Sequence, residues 1–480
     1  MSLPLHGRRV IKTDIENVTI DNVVNILNKA LIIHWRNRAE IEYLWNYYKG
    51  RQPVLNRKKE IRPEILNKIV ENRANEIVSF KSGYLMGEPI QYVSRGDSEE
   101  LIDSINKLNE FVFGEEKASK DKELADWFHI CGTSFRIILP DEEDEEDEAP
   151  FEIYTLDPRN TFVVYHNGLG EKPVLGVRYV VDEKGVVHYS CYSKYYYFEI
   201  VESKVIDYRP HVLGDIPIIE YPLNTARLGA FELVIPLLDA INLTDSNRVD
   251  GVEQFIQALM LFHNVDISSE DYKSLKEEGA IKFKDIDNQM KAEVTYLTNN
   301  LNQSETQTLV DHMYETVLTI CGMPNRNGGS STSDTGAAVI MRDGWSAAEA
   351  RAKDSELMFK KSERILLKII LTICKTLADI DIKVSNIEIR FTRRNYENIL
   401  QKAQVLDLML KNEKIHPSLA FAHSGLFVDP DLAYTLSMKY VEEQEKKAME
   451  VAVNDPENNQ RDSGADRTAA ETREPGGNPD

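Results

Sequence analysis

The longest helical pattern in the chain runs from Ala337 to about Ala378, and it constrains the fold more than any other feature. Its apolar stripe is Ala338, Met341, Trp345, Ala348, Ala352, Phe359, Leu366, Ile370, Ile373 and Leu377, stepping by three, four or seven residues. At about 1.5 Å per residue such a helix spans roughly 60 Å. That is longer than one compact globule needs, and it points to a spoke within a larger assembly. The competing reading is two helices broken near Gly344. Directly upstream, residues 322–336 read GMPNRNGGSSTSDTG. So much Gly, Ser, Asn and Pro cannot bury itself, which predicts a flexible loop.

The rest of the chain alternates between helical and strand patterns. Helices are expected over Val23–Asn46, with Val24, Leu27, Ala30, Leu31 and His34 on one face, and over Pro63–Leu85, with Pro63 in the first turn and Ile65, Ile69, Ala74, Ile77 and Val78 inward. Gly87-Glu88-Pro89 stops the second, and residues 90–93 read as a short strand. From Phe128 to Pro222 the pattern is β-branched and aromatic: FRIIL (135–139), FEIYTL (151–156), TFVVYH (161–166), VLGVRYVV (174–181), VVHYSCYS (186–193) and YYYFEIV (195–201). This predicts an antiparallel β-rich domain. Phe231–His263 returns to helix, with Pro236 at a first turn or kink. A small α/β excursion follows: a helix at Glu270–Glu278 and strands at 280–285 and 292–297. Glu305–Cys321 is helical again, as if an antiparallel helix pair carried a tip domain. After the long helix come a strand, Val384–Arg393, and helices over Tyr396–Glu450; apolar residues nearly vanish from Val451 onward, so that end is expected to be disordered.

With 42% apolar and 28% charged residues, the 480-residue chain can build cores for two to four α+β domains of about 100–200 residues each. No run of about 18 apolar residues predicts a membrane span, and the N-terminus has no apolar stretch of a secretory signal. Cys131, Cys191, Cys321 and Cys374 are too scattered for a CxxC pair and read as reduced thiols, and the Asn-x-Ser/Thr matches at Asn17, Asn242 and Asn302 read as chance. The net charge of −22 opposes nonspecific adhesion to DNA, which is driven by basic residues. Either DNA is no partner, or it must pass without sticking.

Signatures of catalysis are missing from the sequence. There is no GxxxxGK[ST], no HExxH, no Cys/His metal spacing and no GxSxG. The acidic run DEEDEEDE (141–148) has no glycine or spaced-ligand pattern for a metal and reads as a solvated loop. Acidic pieces at 284–289 and 378–383 leave open a metal-dependent DNA-processing enzyme, which would need them gathered on one wall. Basic residues stand out by placement: Arg326 in the Gly/Ser loop, and Lys273, Lys276, Lys282, Lys284 and Lys291 in the excursion. They read either as ordinary surface or as local contacts to DNA or a partner.

Several segments in fixed order carry a resemblance: YYKGRQPVLNRKK (47–59), NKIVENRANEIVSFKSGYLMGEPIQY (67–92), DPRNTFVVY (157–165), LGDIPIIEYPLN (213–224), LLDAINLTDSNRVDGVEQFIQALM (237–260) and the GMPNRNGGSSTSDTG loop leading into a long helix. In this order they resemble the portal, or head–tail connector, proteins of tailed bacteriophages, over residues 20–440. The resemblance implies a ring at one capsid vertex, generally of twelve subunits, assembled in the host cytoplasm, through which double-stranded DNA enters and leaves. It implies an N-terminal arm (1–19), a wing (20–230, with 337–394), stem helices (231–263 and 305–322), a clip (264–304), a tunnel loop (323–336), a helical crown (395–450) and a disordered tail (451–480). The clip would dock a terminase motor and later head–tail adaptor proteins through its lysines, and the wing would face the major capsid or scaffolding protein. Asn325, Arg326, Asn327, Ser330, Ser331 and Thr332 would line the channel. No catalytic residue, cofactor, metal or membrane is implied. The acidic 141–148 run departs from the family pattern. A non-channel virion adaptor protein is a further alternative.

Overall fold

The computed structural model describes residues 7–96, 98–141, 149–256, 259–263, 293–297, 303–325, 344–393, 399–427 and 430–453. The chain divides into two compact units, Met1–Asn395 and Tyr396–Asp480. The fold is mixed α+β.

The first unit opens with β1 (Ile11–Thr13), α1 (Val23–Tyr48) and α2 (Arg73–Leu85). Next come β2 (Gln91–Ser94), α3 (Glu99–Gly114) and α4 (Lys117–Cys131). The strand-rich middle holds β3 (Thr133–Pro140), β4 (Phe151–Leu156), β5 (Thr161–His166), β6 (Pro173–Val181), β7 (Val187–Tyr192), β8 (Tyr196–Val201), β9 (Lys204–Pro210) and β10 (Ile218–Pro222). Then follow α5 (Ile235–Ile256), β11 (Leu259–His263), β12 (Glu293–Leu297), α6 (Gln303–Cys321), α7 (Trp345–Leu377) and β13 (Ile387–Arg390).

The strands sort into a six-stranded sheet, β1-β5-β6-β7-β8-β9, a three-stranded sheet, β10-β3-β4, and the pairs β11-β12 and β13-β2. Among the described residues all pairings are antiparallel except β1 with β5. One face of the large sheet is covered by α1, whose Val23, Ile26, Leu27 and Ala30 are buried against Val177, Tyr179, Cys191 and Phe198. Of the stripe expected for α1, Leu27, Ala30 and His34 are buried, while Val24 and Leu31 are half-buried. A second core gathers the end of α1, α2, α4, α5 and α6 around Tyr47, Trp127, Phe231 and Leu238. A third wraps α3, α4 and β2 around α7 through Phe128, Phe359, Leu366 and Ile370.

Several sequence expectations change. The segment expected to be helical from Pro63 becomes a helix only at Arg73, after Asn72 at φ +49°. The expected switch to strands at Phe128 comes later: α4 runs to Cys131 and ends at Gly132, φ +81°. Only glycine fits there, since a Cβ would lie 2.0 Å from the Arg227 carbonyl oxygen. The helix expected to reach His263 ends at Ile256, and Leu259–His263 is a strand. The long helix begins at Trp345, with Gly344 left-handed (φ +83°) just before it. Its 33 residues span about 50 Å; residues 337–343, including Ala338 and Met341, lie outside the described residues.

Charges are also buried in the first unit. Glu363 of α7 accepts hydrogen bonds from Tyr92 (2.6 Å) and Tyr221 (2.8 Å) and pairs with Lys117 at 2.6 Å. Lys117 also pairs with Asp121 at 2.7 Å, and Arg136 Nη2 lies 2.6 Å from Asp121 Oδ1. The Arg136 N–H groups are not aligned on acceptors, so charge more than directed hydrogen bonding holds that guanidinium. Burial opposes ionisation of Glu363, and Lys117 and Arg136 outweigh it, keeping the carboxyl below its ordinary range. A second buried cation, Arg8, reaches Glu40 (3.0 Å), Glu232 (2.6 Å) and the Cys131 carbonyl (3.1 Å), fastening the N-terminal segment to three elements.

The second unit holds α8 (Ile399–Leu410), α9 (Pro417–Ser424) and α10 (Pro430–Val453). In α9 Pro417 sits in the first turn and His416 caps it, its ring nitrogen accepting from the Ser418 amide. Phe421 stacks on Phe427 with ring centroids 5.2 Å apart.

Candidate functional site

The residues expected to act lie on two excursions, and the structure describes the bases from which these leave. Arg326, Asn327, Ser330, Ser331 and Thr332, and Lys273, Lys276, Lys282, Lys284 and Lys291, lie outside the described residues, as does the acidic run at 142–148. Asn325 is described and half-buried.

The excursion 264–292 leaves and returns through β11 and β12. Their register pairs Leu259 with Leu297 and His263 with Glu293, so the two chain ends meet across one ladder. Behind this ladder α5 and α6 pack as a hairpin through Leu238, Ile241, Val310 and Val317. The Gly/Ser-rich segment is pinched in a similar way. Gly322, φ +63°, ends α6, and Gly344 sits where a Cβ would be 3.7 Å from both the Met323 oxygen and the Pro324 Cα. The departing and returning chain therefore lie side by side. Beside this base a cleft of about 250 Å³ opens between α2 and α6, floored by Met323–Asn325. Its wall is polar: the Arg73 guanidinium lies 4.0 Å over the Tyr314 ring and pairs with Glu71 (2.6 Å) and Glu76 (3.0 Å), while Tyr314 donates to Glu76 (2.8 Å).

The helix pair is tied to the rest of the unit by a strap, residues 57–72, that sequence reading missed. The carboxylate or side-chain oxygens of Asp250, Ser246 and Asn242 accept from the backbone N–H groups of Asn67 (2.8 Å), Ile69 (2.9 Å) and Glu71 (3.0 Å). Four helical residues advance about 6 Å and two extended residues about 6.6 Å, so a polar stripe at every fourth helix position matches every second amide of a strap. This capture explains why residues 63–72 are not helical. Their apolar spacing fits a helix, but their amide donors are held by α5. Arg57 (2.9 Å) and Lys59 (3.4 Å) close on Asp250. Burial works against the Asp250 carboxylate, and the Asn67 donors and both cations outweigh it, lowering its pKa. Asp245, one turn away, shows the opposite: burial, then the Glu71 carboxyl, push it up to about 6, against the pull of Arg248 at 3.3 Å.

Chemistry at these positions is electrostatic. Among the described residues no three His, Cys, Asp or Glu side chains are grouped to hold a metal, and no helix is long and apolar enough to cross a membrane. Of the two acidic pieces weighed for metal-dependent DNA cleavage, 284–289 lies outside the described residues, and in 378–383 Asp381 is engaged by Lys375 at 2.7 Å.

A family model for phage portal proteins, SPP1 Gp6-like, matches residues 27–451. No curated protein matches. Among solved structures the chain is similar to a chain from the "Neck of empty GTA particle computed with C6 symmetry", at 11% identity and a TM-score of 0.42, covering 74% of this chain and 90% of that one. That likeness is too slight to carry an argument, whereas the family match spans most of the chain. On that match, the chain belongs to the phage portal protein family.

Proposed function

We propose that the chain is the repeating subunit of a ring at one capsid vertex, and that double-stranded DNA passes through the ring during packaging and ejection. The observation that carries this is the collinear family match over residues 27–451. In this reading α5 and α6 are the stem, and the excursion 264–304 is the clip that docks the terminase motor and then the head–tail adaptor proteins, with Lys273, Lys276, Lys282, Lys284 and Lys291 as contacts. The pinched segment is the tunnel loop, with Asn325, Arg326, Asn327, Ser330, Ser331 and Thr332 facing DNA. Residues 20–230 and α7 form the wing toward capsid or scaffolding protein, and 395–450 the crown.

Two features support this division of labour. Both excursions depart from and return to narrow, anchored bases, so each can reach a partner without loading the core. The net charge of −22 disfavours adhesion of a sliding polyanion, leaving Arg326 as one phosphate-seeking charge per subunit. The matched family is structural, and the role is conduction and docking, not catalysis.

Electron microscopy of the purified protein should show rings with a central channel wide enough for a duplex. A protein that stays monomeric or dimeric at high concentration rejects the proposal. Within rings, Arg326→Glu should leave assembly intact and impair packaging or retention of DNA. An unchanged packaged genome length would remove Arg326 from the mechanism.

A further inference from the structure

Nearly every buried cation described above meets its acid within the chain. One place departs from this. Between α2, α4 and the first turns of α7 lies a recess of about 20 Å³, room for one small group, lined by Phe80, Lys81, Tyr84, His129, Arg351 and Ser355. Lys81 is half-buried and Arg351 reaches the surface. Neither the Lys81 ammonium nor the Arg351 guanidinium has a hydrogen-bond or ion-pair partner among the described residues. Burial first, and then Arg351, lower the Lys81 pKa.

The other groups at the recess cannot neutralise it. Cys321 has its thiol pushed up to about 11 by burial and is uncharged at neutral pH. His129 is held neutral, at about 3, by burial and then by Lys81, and a ring nitrogen sits 3.1 Å from Ser82 Oγ. Glu349, on the same helix as Arg351, is already shared by Tyr84 (2.9 Å), Arg393 (2.8 Å) and Lys353 (3.6 Å). Two like charges are therefore held together at a concave surface with no counter-charge among the described residues, which is unfavourable unless an anion enters. The fold keeps them there: Gly322 lets the Arg351 stem approach so closely that a Cβ would lie 2.8 Å from its Cγ.

We infer that the recess is completed by an aspartate or glutamate side chain from a second copy of this chain, whose carboxylate Lys81 and Arg351 grip together. This rests on the ring proposed above. The shape favours it: a recess walled by Phe80 and Tyr84 admits the tip of one side chain, not the broad convex backbone of a duplex. The supply favours it too, because the chain carries 79 acidic against 57 basic residues, so each copy offers its neighbours a surplus of carboxylates.

The test uses full-length protein co-assembled from light- and heavy-isotope subunits and treated with a zero-length carbodiimide, which joins an amine to a carboxylate only in direct contact. Lys368 and Asp215, 3.0 Å apart in one chain, serve as the internal control. Lys81 is expected in mixed-isotope products joined to an Asp or Glu, and Lys81→Gln and Arg351→Gln rings are expected to fall apart at several-fold lower salt than the parent. Lys81 joined only within its own chain, or left unjoined while the control couples, overturns the inference. So does protection of Lys81 by inorganic phosphate at concentrations that leave rings intact, since the site would then take a free anion. Micrographs of the same sample separate the two proposals. Rings without Lys81 coupling between copies sink this inference alone, and an absence of rings sinks both.

Discussion

The cluster around Glu363 and the recess around Lys81 lie along the same long helix, yet they handle charge in opposite ways. At Glu363, two cations, two carboxylates and two tyrosine hydroxyls are sealed into the core, and the charges neutralise one another. At Lys81, two cations share a recess that opens to the surface and find no acid among the described residues. A closed network fixes how elements of one chain meet, because removing one member strands the rest. An open one is poised to fix how chains meet. The contrast separates what the subunit needs in order to fold from what it holds in reserve for assembly.

The largest effect is expected from breaking the closed site. Glu363→Ala leaves Lys117 and Arg136 buried without their shared carboxylate, and should cost roughly 3–5 kcal/mol in denaturant unfolding of the subunit. A loss under about 1 kcal/mol would mean that water or a shifted Asp121 replaces Glu363, and the contrast would weaken. The open site should respond in the other direction. Lys81→Met removes a charge that the folded subunit disfavours, so unassembled protein should be unchanged or more stable, within about 1 kcal/mol. Marked destabilisation of the lone subunit would show that Lys81 has an internal partner after all.

The strap lies between these extremes, and the smallest effect belongs there. Asp245 has a folded pKa of about 6, above its ordinary 3.8. The folded state thus holds the proton more tightly, and the stabilisation this brings is full below the ordinary value and lost as pH rises through about 6. Amide exchange at Asn67, Ile69 and Glu71 should therefore quicken, beyond its intrinsic pH dependence, between pH 5 and 7, and Asp245→Asn should remove that excess. An excess that survives the substitution would assign the titration to another group.

How much of this was legible in the sequence depended on which property carried the information. Where alternation of apolar residues decides the structure, reading succeeded: FEIYTL at 151–156 is β4 residue for residue, and TFVVYH is β5. It failed where polar atoms decide. Ile65 and Ile69 have helical spacing, but the amides of Asn67, Ile69 and Glu71 are held by Asp250, Ser246 and Asn242, some 170 to 190 residues away. The strand β9 was passed over because most of its side chains are exposed, which leaves little alternation to detect. The run after Ser98, a capping residue whose side chain accepts from Leu101 N, was a legible start for α3 that went unread. Buried Arg8, Lys117, Arg136 and Glu363 carry no local mark, since only the fold reveals that a charge is inside. The channel and clip residues rest on family resemblance, and the recess at Lys81 was visible only once α2 and α7 were seen together.

The pinched bases have a consequence for what the chain can tolerate. Where a segment returns to the residue beside its departure, lengthening it disturbs nothing behind it, and each doubling adds only about 0.6 kcal/mol of closure entropy. The ladder of His263 with Glu293 and the contact of Gly344 with Met323 and Pro324 therefore work as splice points. What lies beyond them can be exchanged, trimmed or recharged while the helices and sheets beneath stay unchanged.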